Sequence, residues 1–411
     1  MEIERARREY EELRGRNLKL DLTRGKPSSA QLDLSAELLR LPGDDYTAAD
    51  GTDTRNYGGL QGLPELRSLF SEALQVPPGQ LIVGGNSSLA VMHDSIVYCL
   101  LGVPVGGERR WTDEERVAFL CPVPGYDRHF ALCERFGIEL IPVPMTPAGP
   151  DMDEVERLAA ADPGIKGIWC VPKYSNPDGV SYSAETVARL ASMPTAAPDF
   201  RIFWDNAYAV HHLTDEPVEI ADVLALAAEA GNPDRVFVFG STSKVTLAGS
   251  GVSFFGSSPA NVAWFLGFLS KGTIGADKVN QLRHVRFLRD ERGLREHMRK
   301  HAELIRPKFE AVDRILGKEL GGTGLASWSS PAGGYFITFE VPAGCAKEVV
   351  RKAAEAGIAL TPAGATHPYG DDPADRTIRI APTFPELDEL EVAISGLATC
   401  VRLVGAERGL G

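Results

Sequence analysis

The sequence has no CxxC pair. Its six cysteines, Cys99, Cys121, Cys133, Cys170, Cys345 and Cys400, are scattered singly, a spacing that signals neither a zinc site nor a disulfide framework. They read as small residues packed in an apolar interior, and no metal is expected. No apolar run approaches the ~18 residues that a membrane-spanning helix requires. The start, MEIERARREYEELRGR, is charged and helix-like and lacks the apolar centre of a signal peptide, so a cytoplasmic protein is expected. Basic residues are in deficit: 43 Lys and Arg stand against 56 Asp and Glu, a formal net charge of −13. A surface of that sign opposes nucleic acid and anionic membranes as partners. Low-complexity segments and internal repeats are also missing.

What is present is a chain of 411 residues, 44% of them hydrophobic, longer than the ~250–300 residues that one core ordinarily serves. Two associated domains are therefore expected. After the charged start comes LTRGKPSSA, where Gly25 and Pro27 exclude a continuing helix and leave an extended arm that packs on something else. From about residue 60 to 255, short β-rich runs (RVAFLCP, KGIWCVP, FRIFWD, RVFVFGS) alternate with amphipathic stretches such as SAETVARLASM and EIADVLALAAEAG. That alternation is the pattern of a mostly parallel sheet with crossover helices, an α/β fold. Beyond 290 a long charged helical stretch, then GGYFITFEV, a helix near 346–356 and a terminal helix near 385–399 predict a smaller α+β domain. The division is an arm over 1–45 packing with the small domain, a large domain over 46–290 and the small domain over 291–411.

Ligands of open α/β sheets bind beyond the carboxyl ends of the strands, so polar residues that follow strand-like runs are the candidates. KGIWCVP leads into KYSNPDG and presents Asn176; FRIFWD ends on Asp205, with Tyr208 three residues later; RVFVFG leads into STSK and Lys244. A lone lysine is more often surface decoration. Between an apolar strand and a glycine-bearing loop, however, a lysine is placed to condense with an aldehyde.

NPDG, DNAY and STSK, in this order and spacing, together with YGGLQGLPELR, PGYDRH and TIRIAPTFP, resemble the class I and II aminotransferases of pyridoxal-phosphate fold type I across almost the whole chain. The resemblance implies a large domain that binds pyridoxal 5′-phosphate and amino acids and 2-oxo acids as substrates. It makes Lys244 the residue that carries the cofactor as a Schiff base and Asp205 the carboxylate against the pyridine nitrogen. Asn176 and Tyr208 would donate to the ring's 3′ oxygen, and Tyr126 would stack on the ring. Ser87 and Ser88, at the start of a helix after a glycine pair, would hold the phosphate with Ser241 and Ser243. Arg379 would take the substrate's α-carboxylate, a group that a guanidinium matches in bidentate fashion, near Asn176 and Gly25 of the arm. Arg128 would read a second carboxylate. Tyr57 resembles the tyrosine that reaches the phosphate of a neighbouring subunit, implying a homodimer with shared sites.

One departure narrows the reading. Many relatives have an arginine in the loop after the lysine, whereas VTLAGSGVSF has none and Gly251 stands there; Lys271 is a substitute by sequence position. That loss, with ATHPYGDDPAD and DKVNQLRHVRF, resembles the type Ic aspartate aminotransferases. An aminotransferase of broader range (aromatic, kynurenine or 2-aminoadipate), a lyase on the same scaffold, and a cofactor-sensing regulator remain alternatives. The regulator would carry a DNA-binding domain before the arm, where only the charged segment stands.

Overall fold

The computed structural model describes residues 2–410. Strand β1 (Leu20–Asp21) lies in the arm. Eight strands then form one sheet: β2 (Leu81–Val83), β3 (Ala118–Val123), β4 (Glu139–Thr146), β5 (Gly149–Pro150), β6 (Ile165–Cys170), β7 (Arg201–Asp205), β8 (Val236–Ser241) and β9 (Ser253–Gly256). Their spatial order is β2-β9-β8-β7-β6-β3-β4-β5. The five strands β8, β7, β6, β3 and β4 pair in parallel, while β2 with β9, β9 with β8, and β4 with β5 are antiparallel.

The four runs read as strands are β3, β6, β7 and β8, the centre of this sheet. Nearly every residue in them is buried, because helices cover both faces of a parallel sheet, and such strands read as continuous apolar runs. The short β2 and β9 lack that signal and were not among the strands expected. Helix starts follow local chemistry. Ser183, Asp222, Ser258, Asp277 and Asp290 each accept a backbone N–H of the first turn that follows, which satisfies a donor that the helix itself leaves unpaired.

The remaining strands are β10 (Ser327–Trp328), β11 (Ile337–Glu340), β12 (Ile358–Ala359) and β13 (Thr377–Ile380). β10, β11 and β13 form an antiparallel sheet, and β12 pairs in parallel with β1 of the arm. One apolar cluster joins Ala6, Tyr10, Leu13 and Leu22 to Ile337, Phe339, Ile378 and Leu397, so the beginning of the chain shares the core of its end. Helix Glu291–Leu320 serves two cores. Leu294 and Met298 pack with the large sheet's helices, whereas Ile305, Phe309 and Val312 pack in the second cluster. The terminal helix runs over Leu387–Glu407, past the end expected near 399, because it is wedged between helices Glu2–Gly15 and Glu291–Leu320 and buries residues around most of its circumference. Among the described residues, no helix is long and apolar enough to cross a membrane.

The arm is anchored by a buried polar chain. Gln31 Nε2 donates to Tyr335 Oη (2.8 Å) and lies 3.2 Å from His301 Nδ1; His301 Nε2 is 3.1 Å from His297 Nε2, which contacts the carbonyl of Val245 at 2.7 Å. Ser35 Oγ also reaches His297, at 3.3 Å. Burial and the neighbouring His297 lower the His301 pKa to about 3, and burial lowers His297. Both imidazoles are thus neutral in the folded chain near neutral pH. On acidification through the unfolded value of ~6.5, the unfolded chain takes up protons first, so stability is lost from there down toward pH 3. His301→Gln should flatten the fall in Tm between pH 6.5 and 4; an unchanged slope would show that other groups carry the acid sensitivity.

Candidate functional site

Four parallel strands end at one rim, and the residues that follow them face each other. Asp205 is the last residue of β7 and is 3% exposed. Its Oδ2 lies 3.0 Å from His129 Nε2, while its Oδ1 is buried without a hydrogen-bond partner. His129 belongs to helix Asp127–Arg135 after β3, two strands away from β7 in the sheet. It crosses the intervening β6 by stacking on Trp169 (4.1 Å between centroids, 8° between planes). Tyr126, just before that helix, meets His129 edge-on at 4.9 Å. Burial raises the Tyr126 hydroxyl to about 12, and the charges of Asp205 and Asp127 add to the shift.

Lys244 follows β8 by three residues. Its Nζ lies 5.0 Å from the Tyr208 ring centroid and 5.9 Å from that of Tyr335. Burial lowers the amine's pKa, against which the Asp205 carboxylate pulls upward; desolvation disfavours the ammonium form. His211 Nε2 reaches the backbone carbonyl of Lys244 at 3.2 Å. Tyr208 is 2% exposed, and burial pushes its hydroxyl well above the usual range.

Ser87 caps helix Ser88–Leu101 by position, but its side chain makes no capping hydrogen bond. Both serine hydroxyls and the first N–H groups of this helix therefore remain available to an anion. The loop after Lys244 closes against this turn: Asn86 Nδ2 donates to the Gly249 carbonyl at 3.4 Å, and Ser253 N to the Gly85 carbonyl at 2.7 Å. Gly251 has φ +66°, and a Cβ there would lie 2.2 Å from Asn86 Cα. The close approach of two backbones thus explains why no arginine occupies position 251. Lys271 is exposed, in the last turn of helix Pro259–Gly272.

Arg379, on β13 of the three-stranded antiparallel sheet, reaches this rim. It is 7% exposed, and its Nη1 pairs with Asp127 Oδ1 (2.9 Å) and donates to Asn176 Oδ1 (3.4 Å). Its Nη2 donates to Thr361 Oγ1 at 3.3 Å, its Nε is buried without a partner, and the guanidinium lies over the Phe336 ring at 4.9 Å. Gly25 of the arm presses on the other partner in that stack: a Cβ at Gly25 would come within 2.0 Å of Phe336 Cζ. A side chain there would displace the ring on which Arg379 rests.

The model of the family described as aspartate amino-transferase matches residues 2–411. The chain belongs to that family. Within it, the chain is 58% identical over 407 residues to a Mycolicibacterium smegmatis protein that carries only a general aminotransferase name, covering 98% of this chain and 95% of that one. It is 52% identical over 402 residues to the aspartate aminotransferase of Corynebacterium glutamicum, covering 98% and 93%. The crystal structure of an aspartate transaminase from C. glutamicum superposes with a TM-score of 0.97 at 51% identity, covering 99% of this chain and 96% of that one.

Of the candidate residues, Lys244, Asp205, Tyr208, Tyr126, Asn176 and Arg379 converge on this rim. Each of Tyr126 and Tyr208 feels the charges of Asp205 and Arg379, and Lys244 feels that of Asp205. Ser241 and Ser243 border Lys244 and are half-buried, with Ser241 Oγ accepting from the Ser243 N–H at 3.4 Å. Two candidates stand apart. Arg128 is exposed on the outer side of helix Asp127–Arg135, near enough to Tyr126 for its charge to act there. Tyr57 is 83% exposed, on a loop fixed from below by the buried Lys278, whose Nζ donates to the carbonyls of Asn56 (2.7 Å) and Gly58 (2.6 Å). Sequence reasoning passed over His129, Asp127, Thr361 and Lys278. His129 had one usable signal, its place three residues after Tyr126 on the same face of a helix that leaves the rim.

Proposed function

We propose that the chain holds pyridoxal 5′-phosphate through Lys244 and moves an amino group between an amino acid, above all aspartate or glutamate, and a 2-oxo acid such as 2-oxoglutarate or oxaloacetate. The observation that carries this reading is the divided environment of Asp205, with one oxygen held by His129 and the other buried and unpartnered. A buried carboxylate oxygen without a donor is costly, and a protonated ring nitrogen supplies the missing donor. Bound there, the cofactor contributes an aldehyde carbon that condenses with amines and a ring that draws electrons from the substrate's α-carbon.

The chain's own residues do the rest. His129, braced on Trp169, keeps Asp205 oriented. Asn176 and Tyr208 would donate to the ring's 3′ oxygen, and Tyr126 would pack against the ring. Ser87, Ser88, Ser241 and Ser243 hold the phosphate, joined by Tyr57 of a second copy, whose exposure on a braced loop supports a homodimer. The Lys244 amine, released when the substrate's amine takes its place on the aldehyde carbon and brought toward its neutral form by burial, would take the proton from the α-carbon. Arg379 gives up Asp127 for the α-carboxylate, and Arg128 turns inward beside Tyr126 to meet a distal one.

Steady-state kcat/KM for aspartate, glutamate, alanine and phenylalanine, each with an oxo-acid acceptor and with products identified, tests this. The wild type should favour the two dicarboxylic substrates. Arg379→Ala should weaken all four, whereas Arg128→Ala should weaken only the dicarboxylic pair, by ~10–100-fold, the worth of a charge-assisted hydrogen bond. A wild-type preference for phenylalanine overturns the substrate assignment, and an equal loss on all four in Arg128→Ala removes that residue from substrate recognition.

A further inference from the structure

A cavity of about 490 Å³ lies between the loop after β7, the end of helix Pro64–Leu74 and the first part of helix Glu291–Leu320. None of Lys244, Asp205, Tyr126, Asn176, Tyr208 or Arg379 lines it. Its volume is in the range of small-molecule sites. Val210, Ile220, Leu294, Met298 and Ala302 give it an apolar wall.

The polar groups are unevenly satisfied. Most charges at the rim are already paired: Arg306 with Asp215 at 3.0 Å, Arg299 with Glu303 at 2.5 Å, and Arg295 with Glu291. Two are not. Lys173 lines the cavity at 6% exposure, and its Nζ has no hydrogen-bond partner among the described residues, its nearest recorded neighbour being the Tyr174 ring at 5.8 Å. Burial lowers this amine, and the charge of Glu219 opposes the shift; Glu219 lines the same cavity, exposed and without a hydrogen bond or salt bridge among the described residues. Asn206, also on the wall and 3% exposed, has a buried Oδ1 without a partner. An amine on a cavity wall with no protein partner is free to donate to an acceptor on a ligand.

We propose that this cavity is a second small-molecule site, which takes a zwitterionic α-amino acid with an apolar side chain: the carboxylate on Lys173, the ammonium toward Glu219, the side chain against Val210, Leu294 and Met298. A cation, an exposed anion and an apolar wall lining one cavity match the three parts of such a molecule. Two segments of the wall continue directly into the catalytic rim. Lys173 lies three residues before Asn176, and Asn206 follows Asp205, its backbone N–H donating to the Phe239 carbonyl at 2.9 Å. A ligand that restrains both segments acts on the placement of Asn176 and Asp205, and the coupling is reciprocal.

The inference is tested by calorimetric titration of the holoenzyme with L-leucine and with 4-methylpentanoate, which lacks the ammonium. L-Leucine should bind the wild type and Arg379→Ala alike, the latter having lost the carboxylate partner of the catalytic site. Affinity should fall by about tenfold or more in Lys173→Met and in Glu219→Gln, as for loss of one charge-assisted contact. Binding of 4-methylpentanoate should be indifferent to Glu219→Gln. Glu219 is exposed, so that variant decides the matter even where Lys173→Met fails to fold. Absence of L-leucine binding, or binding lost in Arg379→Ala and unchanged in Glu219→Gln, overturns the proposal and leaves the catalytic site as the only place where the amino acid acts.

Discussion

Lys244→Ala is expected to lower turnover by on the order of 10⁴-fold or more, because one substitution removes both the amine that bonds the cofactor and the base that moves the α-proton. The fold should survive. The Lys244 amine makes no hydrogen bond among the described residues, and the contact from His211 goes to its backbone carbonyl, which alanine keeps. The sign of the pKa shift points the same way. Burial lowers the folded-state pKa of Lys244, so below its unfolded value the unfolded chain binds the proton more readily. The lysine therefore weakens the cofactor-free fold at neutral pH. Cofactor-free Lys244→Ala should melt no lower than cofactor-free wild type at pH 7. Borohydride reduction of the wild-type holoenzyme, followed by peptide mapping, should place the fixed cofactor on Lys244. A label on another lysine, or turnover within tenfold of wild type in the variant, removes the residue from the mechanism.

The second large effect is expected at Asp205. Asp205→Ala should reduce kcat by on the order of 10³-fold, the scale of losing a preorganised charge that acts on the transition state, while cofactor retention falls much less. It should also destabilise the protein, because His129 Nε2, buried and 3.0 Å from the carboxylate, loses its partner at a cost of ~1–3 kcal/mol. Asp205→Asn separates the two roles. It keeps an acceptor for His129 and so should restore most of the Tm, yet without a negative charge beside the ring nitrogen kcat should stay low. Near-normal kcat in the asparagine variant would falsify the electrostatic role, and an unchanged Tm in the alanine variant would show that the His129 contact carries little energy.

How much of this was legible beforehand follows from the range of the interactions. The central strands β3, β6, β7 and β8 were readable because burial on both faces leaves continuous apolar runs in the sequence. The residues at and just beyond their ends, Asn176, Asp205, Tyr208 and Lys244, were readable because a parallel sheet gathers its strand ends on one rim, whereas Tyr126 was named through the family resemblance alone. Strands β2 and β9 were not, being three and four residues long and set among glycines, with no period to display. The terminal helix was read short because its last turns are held by two other helices, a contact with no local signature.

The sequence by itself determined the α/β class, the order of the motifs and the identity of those rim groups that directly follow strand-like runs, since these depend on runs and spacings within single segments; His129, Asp127 and Thr361 were outside its reach. Tertiary structure decided which of those groups touch. The pairing of His129 with Asp205 requires β3 and β7 to flank β6, so that Trp169 can support a bridge over one strand. The pairing of Arg379 with Asp127 joins residues 252 apart in the chain, and the platform beneath that arginine depends on Gly25 pressing on Phe336 from the arm. Even the missing arginine at position 251 has its reason in a contact, the backbone of Asn86 lying where a Cβ would be. Side-chain type is local, but distance between side chains is set by the packing of elements far apart in sequence, and hydrogen bonds and charge effects depend on distance.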